Sequence, residues 1–200
     1  MWVVKLGGSL AEGERLPEWL ALLATVGRGR VVVVPGGGRF ADEVRTAQRH
    51  WQFDDVAAHN MAVLAMAQTA MMMRSLVGTL EPVLSTADVR RVLRRGGTAL
   101  WMPMQALRDQ PDELTSWDVT SDSLALWLAR QLNAERLTLV KSCAVEPRWD
   151  VAEWAARGIV DAAFEPMARH AGLAIDVLSS DQVETLRSWL TGTPIGTSMA

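Results

Sequence analysis

Four consecutive valines at residues 31–34 run directly into Pro35-Gly36-Gly37-Gly38. A β-branched run without polar alternation marks a strand covered on both faces, as in a parallel sheet flanked by helices. The glycine loop leads into residues 40–50, which read as a helix. The same order opens the chain: Trp2-Val3-Val4-Lys5-Leu6, then Gly7-Gly8-Ser9, then a helical apolar period over residues 17–26 that starts at Pro17. Two strand, glycine-loop and helix units within fifty residues predict an α/β chain, with ligand loops at the carboxyl ends of the strands.

The remaining chain continues this alternation. Residues 54–77 read as a long helix crowded with Met61, Met66, Met71, Met72 and Met73. Methionine is a pliable core filler, so this helix is expected to face the sheet or a partner subunit. Its longest apolar tract, residues 61–73, is interrupted by Gln68 and Thr69 and is too short to span a bilayer. Glu81-Pro82 is expected to break the helix. Another helix follows over residues 86–95, then a strand over 98–102 and a polar surface loop over 108–115. Leu124, Trp127, Leu128 and Leu132 repeat at three- and four-residue spacing, the mark of an amphipathic helix. Strands are expected over residues 137–140, 173–178 and 193–198, and helices within 147–157, over 161–170 and over 180–190. Two hundred residues suit one domain, or two lobes sharing one sheet.

Candidate chemistry gathers at the strand ends. Among 20 Lys and Arg residues only Lys5 and Lys141 are lysines, and both close a hydrophobic strand-like run. Lysine and arginine are not interchangeable where a compact charge must fit a tight site, so these two are the first candidates. Backbone N–H groups in a glycine loop form an anion-binding concavity, and Lys5 beside Gly7, Gly8 and Ser9 adds a full charge. A tight turn with a surface lysine is the plainer alternative. Gly36, Gly37 and Gly38 forgo backbone entropy together, which suggests that a ligand or another backbone segment passes close by. Arg39 follows them, either to hold an anion with its fork or as a solvated first-turn residue. His59 and Asn60 either touch a substrate over the triple glycine or are structural. Thr120, Ser121 and Asp122 open the amphipathic helix, where capping alone accounts for them. Asp118 is too early for that explanation. With Asp122 it looks like a partner for a lysine ammonium or a metal–phosphate unit.

Composition excludes several classes. A net charge of −3 with dispersed arginines gives no electrostatic footprint for nucleic acid. One cysteine, Cys143, forms no internal disulfide, and three dispersed histidines give no zinc-type spacing and no protein metal site. The chain opens straight into a strand without a basic region preceding an apolar one, so no signal peptide is read, and a cytoplasmic protein without a membrane partner is expected. The methionine-rich helix is a candidate assembly surface, and a homo-oligomer, dimer or higher, is expected.

The run V-V-K-L-G-G-S-L, the later V-V-V-V-P-G-G-G and the block W-D-V-T-S-D-S-L-A-L-W-L-A, in this order over roughly residues 1–145, resemble the amino acid kinase family. The resemblance implies a three-layer αβα sandwich about a mostly parallel sheet, with residues 1–133 as acceptor and phosphoryl-transfer lobe and 134–200 as a shortened nucleotide lobe. It implies transfer of the γ-phosphoryl group of ATP, with Mg2+, to a small phosphorylated or carboxylate acceptor. On that basis Lys5 bears on the migrating phosphoryl group and Asp122 orients the lysines. Gly7, Gly8 and Ser9 bear on nucleotide phosphate, with Lys141 and Ser142 as further contacts. Gly36 to Gly38, Arg39, Asp118, Thr120 and Ser121 bear on the acceptor. Such chemistry asks for positioning and charge neutralisation and for no nucleophile.

The chain departs from the family pattern after Lys141. The turn there reads Ser142-Cys143-Ala144-Val145 in place of a T-D-V-D-G-V-like segment, and no later lysine exists. Within the family, the shortened C-terminal half, the W-D before T-S-D-S-L and the G-I-V-D-x-x-F run look most like the small kinases of methanofuran-type coenzyme synthesis, which act on an aminomethylfuran-methyl phosphate. A carboxylate kinase of the acetylglutamate type and a non-catalytic nucleotide- or anion-binding subunit remain the alternatives.

Overall fold

The computed structural model describes residues 1–193. β1 (Trp2–Leu6) leads through a short 3₁₀ turn (Ser9–Glu12) into α1 (Leu16–Thr25), and β2 (Val31–Pro35) leads into α2 (Gly38–Trp51). Then come α3 (Asp55–Leu76), β3 (Leu80–Val83), α4 (Thr86–Arg94) and β4 (Thr98–Trp101). The second half runs α5 (Ser121–Leu132), β5 (Arg136–Lys141), α6 (Val151–Ala156), α7 (Phe164–Ala168), β6 (Ala174–Ser179) and α8 (Val183–Thr191).

All six strands pair in parallel in the order β3-β4-β2-β1-β5-β6. Every residue of β2 is buried, as the unbroken valine run requires. Strand alternation sends Val3, Val32, Val34 and Leu139 to one face, where Leu124 and Leu128 of α5, Trp154 of α6 and Phe164 of α7 cover them. Val4, Leu6, Val33 and Val140 go to the other face, under Trp19 and Leu23 of α1 and Leu186 of α8. Each such fully buried side chain contributes about 1.5–3 kcal/mol of transfer free energy. The result is the expected αβα sandwich.

α3 starts at Asp54, whose side chain accepts from the Ala57 N–H at 2.8 Å. By length and composition its 22 residues could cross a bilayer, yet half of the apolar window is buried: Val63, Met66, Ala70 and Met73 pack toward the sheet. Met61, Leu64 and Met71 are exposed.

Three local expectations need correction or limit. Glu81-Pro82 does not merely end a helix: α3 stops at Leu76 and the two residues lie within β3. β3 is an edge strand pairing with β4 alone, where a proline's missing N–H costs no ladder bond on the open side. The helix expected over 161–170 is confined to α7, because Asp161 is used elsewhere, as described below. The strand expected over 193–198 lies, from residue 194 on, outside the described residues.

Candidate active site

β1 is central, with β2 on one side and β5 on the other, so the chain leaves the carboxyl ends of these strands in diverging directions and opens a crevice. Lys5 shares the face of Val3, beneath α5. The register pairs Lys5 with Leu139, so Lys141, two residues on, faces the same way. The first turn of α5 brings Asp122 between them. Its Oδ2 lies 2.5 Å from Lys141 Nζ and its Oδ1 2.7 Å from Lys5 Nζ, the latter a contact of charges without hydrogen-bond alignment. Lys5 and Asp122 are each 3% exposed.

Burial opposes the Asp122 charge, but the ammonium groups of Lys5 and Lys141, with the hydrogen bond from Lys141, outweigh it and hold the carboxyl below the usual range. Burial, and then repulsion by Lys5, hold the Lys141 ammonium below the ordinary lysine range, against the pull of Asp122. Two ammonium groups share one carboxylate. The uncompensated positive charge is costly in a dry site and is satisfied by an incoming anion.

Backbone geometry adds to that attraction. A Cβ on Gly8 would lie 2.6 Å from the Gly38 nitrogen, and one on Gly36 would lie 2.4 Å from the Gly8 nitrogen. Only glycines let the two loops pack backbone to backbone, and Gly38 takes a positive φ of 53° as it enters α2. Gly37, the N-cap of α2, offers no side-chain cap, so the first N–H groups of a 14-residue helix are left for solvent or ligand.

These groups border a cavity of about 250 Å³, roomy enough for part of a small molecule. Lys5, Lys141, Asp122, Gly8 and Ser9 form one end, with Gly37, Gly38, Thr120 and Ser121 beside them. Val63 and Met66 of α3 with Val119 and Leu124 give an apolar middle, and Asp55 and His59 form the far wall. Trp117 closes one side. Its Nε1 donates to Gln48 Oε1 at 2.6 Å, and the Arg45 guanidinium lies 4.5 Å from its ring centre.

Not every residue singled out in the sequence reaches the cavity. Arg39 is exposed and absent from the lining, pointing away as the residue after Gly38. Asp118 is also exposed and outside it: a turn closed by Val119 N–H to Ser116 O puts Trp117 and Val119 inward and leaves Asp118 to accept from Ala163 N–H through its carbonyl. Gly7 and Gly36 serve packing, since a Cβ on Gly7 would lie 2.9 Å from the Val140 oxygen. Ser142 does not line the cavity. Its hydroxyl lies 2.7 Å from that of Ser9 and ties the first glycine loop to the end of β5. Asn60 is structural, exchanging two hydrogen bonds of 2.8 Å with the Arg108 backbone.

Asp161, like Gln48, Asp55 and Trp117 of the far wall, is not singled out by the sequence. The Asp161 carboxylate accepts from Thr120 N–H at 2.9 Å, Thr120 Oγ1 at 2.7 Å, Ser123 N–H at 3.1 Å and the Ser123 hydroxyl. It clamps the first turn of α5, and so the position of Asp122, from 38 residues or more away along the chain. The G-I-V-D-x-x-F run holds this residue but gives no hint of its partner.

A model of the amino acid kinase family matches residues 1–144. The [5-(aminomethyl)furan-3-yl]methyl phosphate kinase of Methanocaldococcus jannaschii is 26% identical over 140 residues, which cover 70% of this chain and 64% of that protein, a little under two thirds of its length. Among solved structures, uridylate kinase from Archaeoglobus fulgidus superposes with a TM-score of 0.69 at 14% identity, covering 98% of this chain and 97% of that one. UMP kinase from Bacillus anthracis also gives 0.69, at 18% identity, with 96% and 91% covered. An isopentenyl phosphate kinase gives 0.61 at 13% identity, covering 98% of both chains. At these identities the structures speak for the fold.

Proposed function

The chain belongs to the amino acid kinase family, and from that premise we propose that it transfers the γ-phosphoryl group of ATP to a small phosphate monoester, giving a diphosphate. The observation that carries this reading is the placement of both lysines of the chain on the one carboxylate of Asp122, at the glycine-lined end of the cavity. An aminomethylfuran-methyl phosphate, of the kind named for the relative in Methanocaldococcus jannaschii, is the acceptor we assign.

In this mechanism Asp122 sets the two ammonium groups apart and aims them. Lys5 and Lys141 neutralise charge on the migrating group and on the oxygens it leaves and joins, where most catalytic stabilisation of phosphoryl transfer resides. Gly8, Gly37 and Gly38 allow close backbone approach to phosphate, and the uncapped start of α2 favours negative charge. Residues 1–133 would hold the acceptor and the transfer machinery, and residues 134 onward the nucleotide. Magnesium would come as part of the ATP substrate and would supply charge neutralisation on its phosphates. Among the described residues no three metal-ligating side chains come together, and both Asp122 oxygens face ammonium groups, so no protein ligand is assigned to that ion.

Exposed Met61, Leu64 and Met71 on α3 support a homo-oligomer formed through that helix, which sizing in solution tests. A cytoplasmic setting fits a small phosphorylated substrate and ATP. The function itself is tested by an acceptor screen for ADP release from ATP with magnesium present. ADP formation that depends on a phosphate monoester supports the reading. ATP binding by calorimetry, with no ADP formed on any phosphate or carboxylate acceptor, would leave a non-catalytic nucleotide-binding subunit.

A further inference from the structure

The two ends of the cavity differ in charge. At the glycine end the lysines exceed their carboxylate by one positive charge. Along the opposite wall, Asp42 is answered by Arg45 at 3.0 Å, whereas Asp55 has no ion-pair partner among the described residues and accepts only from Gln48 Nε2, at 2.9 Å. One turn further along α3 stands His59, 7% exposed and in the same wall. Its Nε2 lies 2.7 Å from the carbonyl oxygen of Ala106. A carbonyl only accepts, so Nε2 carries the hydrogen. Nδ1, which accepts whenever the ring is neutral, has no protein partner among the described residues. That end thus offers a carboxylate and an imidazole nitrogen, beside an Arg45 guanidinium already engaged by Asp42 and the Trp117 ring.

We infer that Asp55 and His59 form an ammonium-binding subsite that selects acceptors carrying an amine at the end opposite their phosphate. The inference rests on the kinase reading above and deepens it. A molecule anionic at one end and cationic at the other is complementary to both ends of the cavity. A dicarboxylate acceptor would instead set a negative group against Asp55. Between the ends, Val63, Met66 and Trp117 receive an apolar body, and Gln48, bonded to both Trp117 and Asp55, fixes the wall and the carboxylate relative to each other. Asp55 also sits in the first turn of α3, where the helix dipole alone favours a carboxylate. That role predicts a change of stability and no change of selectivity, so the two are separable.

The test uses aminomethylfuran-methyl phosphate and its analogue with a methyl group in place of the aminomethyl group. Each is measured for kcat/KM with ATP and magnesium, and for binding by calorimetry, in the wild type, Asp55→Asn and Asp55→Glu. Asp55 is exposed, so the wild type is expected to prefer the amine about threefold, the size of one charge pair at a solvated carboxylate. Asp55→Asn should bring that ratio close to one, and Asp55→Glu, which keeps the charge, should retain part of it. No preference in the wild type, or a ratio unmoved by Asp55→Asn, overturns the subsite. If neither acceptor is turned over, the kinase reading fails, and the calorimetric ratio still decides the subsite.

Discussion

Lys141 lies two residues beyond Leu139, the strand partner of Lys5, so both lysines stand on one face of the sheet and meet the same carboxylate. Parallel pairing makes this possible: each strand ends at the same edge, and a period of two residues decides which side chains turn toward α5.

Asp122→Asn keeps the shape of the side chain and removes the charge that holds two buried ammonium groups together. Turnover should fall about 10²-fold or more, the usual size of a lost transition-state charge contact. Stability should fall by roughly 3–5 kcal/mol, since a broken buried pair leaves uncompensated charge. Lys5→Ala and Lys141→Ala should lower turnover by a similar factor with a smaller loss of stability, because each leaves Asp122 one partner. Steady-state kinetics and urea unfolding read the two effects separately.

The pH dependence has two limbs. Lys141 gives up its proton below the ordinary lysine value of about 10.4, because burial and the neighbouring Lys5 disfavour its charge, so kcat should decline on the alkaline side before that value is reached. Stability moves the other way there. The unfolded chain holds this proton longer than the folded one, so the Lys141 contribution rises with pH between its folded and unfolded pKa values. At acid pH, burial raises the Asp122 pKa, but the two ammonium groups more than offset it and the net shift is downward. The stability from that shift is fully in place well above pH 4 or so and is lost as pH falls through the native pKa. A kcat profile and urea midpoints across pH check both limbs.

Gly8→Ala should separate the two glycine loops, since its Cβ would meet the Gly38 nitrogen at 2.6 Å and the Gly38 Cα at 2.8 Å. A loss of about 1–3 kcal/mol is expected, with weaker ATP binding. Gly13→Ala is the control. Its Cβ would meet the Leu10 oxygen at 3.5 Å and the Ser9 oxygen at 3.9 Å, both ordinary contacts, at a φ of −92°, so stability should change by less than about 1 kcal/mol. Thermal or urea unfolding with nucleotide calorimetry distinguishes them.

Asp161→Ala removes the clamp on the first turn of α5 without touching the cavity. It should cost about 1–2 kcal/mol, as other lost helix caps do. A positioning role further predicts a fall in kcat, with KM for ATP little changed, because Asp122 rides on that turn. Equal kcat in the variant and the wild type would reduce Asp161 to a structural cap.

Much of the fold, and the stretches that meet at the lysine and glycine end of the cavity, was legible in the sequence because both are written in contiguous segments. The valine run requires burial on two faces, and Lys5, the glycine loops and Asp122 each sit at the end of a periodic segment. Rarity marked Lys141. The far wall was not legible, because Gln48 and Trp117 meet across 69 residues and Asp161 reaches α5 across 38 or more, distances at which no local period carries information. Arg39 and Asp118 neighbour the cavity in sequence but lie outside its lining: one follows the turn into a helix, the other sits in a turn that faces out. Pro82 hid an edge strand, since a proline speaks against a strand only where the ladder needs its N–H.

The central claim is tested most directly by following label from γ-³²P-ATP in the presence of magnesium and a small phosphate monoester, with the wild type and with Lys5→Ala. Label should appear in the diphosphate of the acceptor with the wild type and be reduced about 10²-fold or more with Lys5→Ala. Label that stays in ATP, or passes only to inorganic phosphate whatever the acceptor, would contradict it.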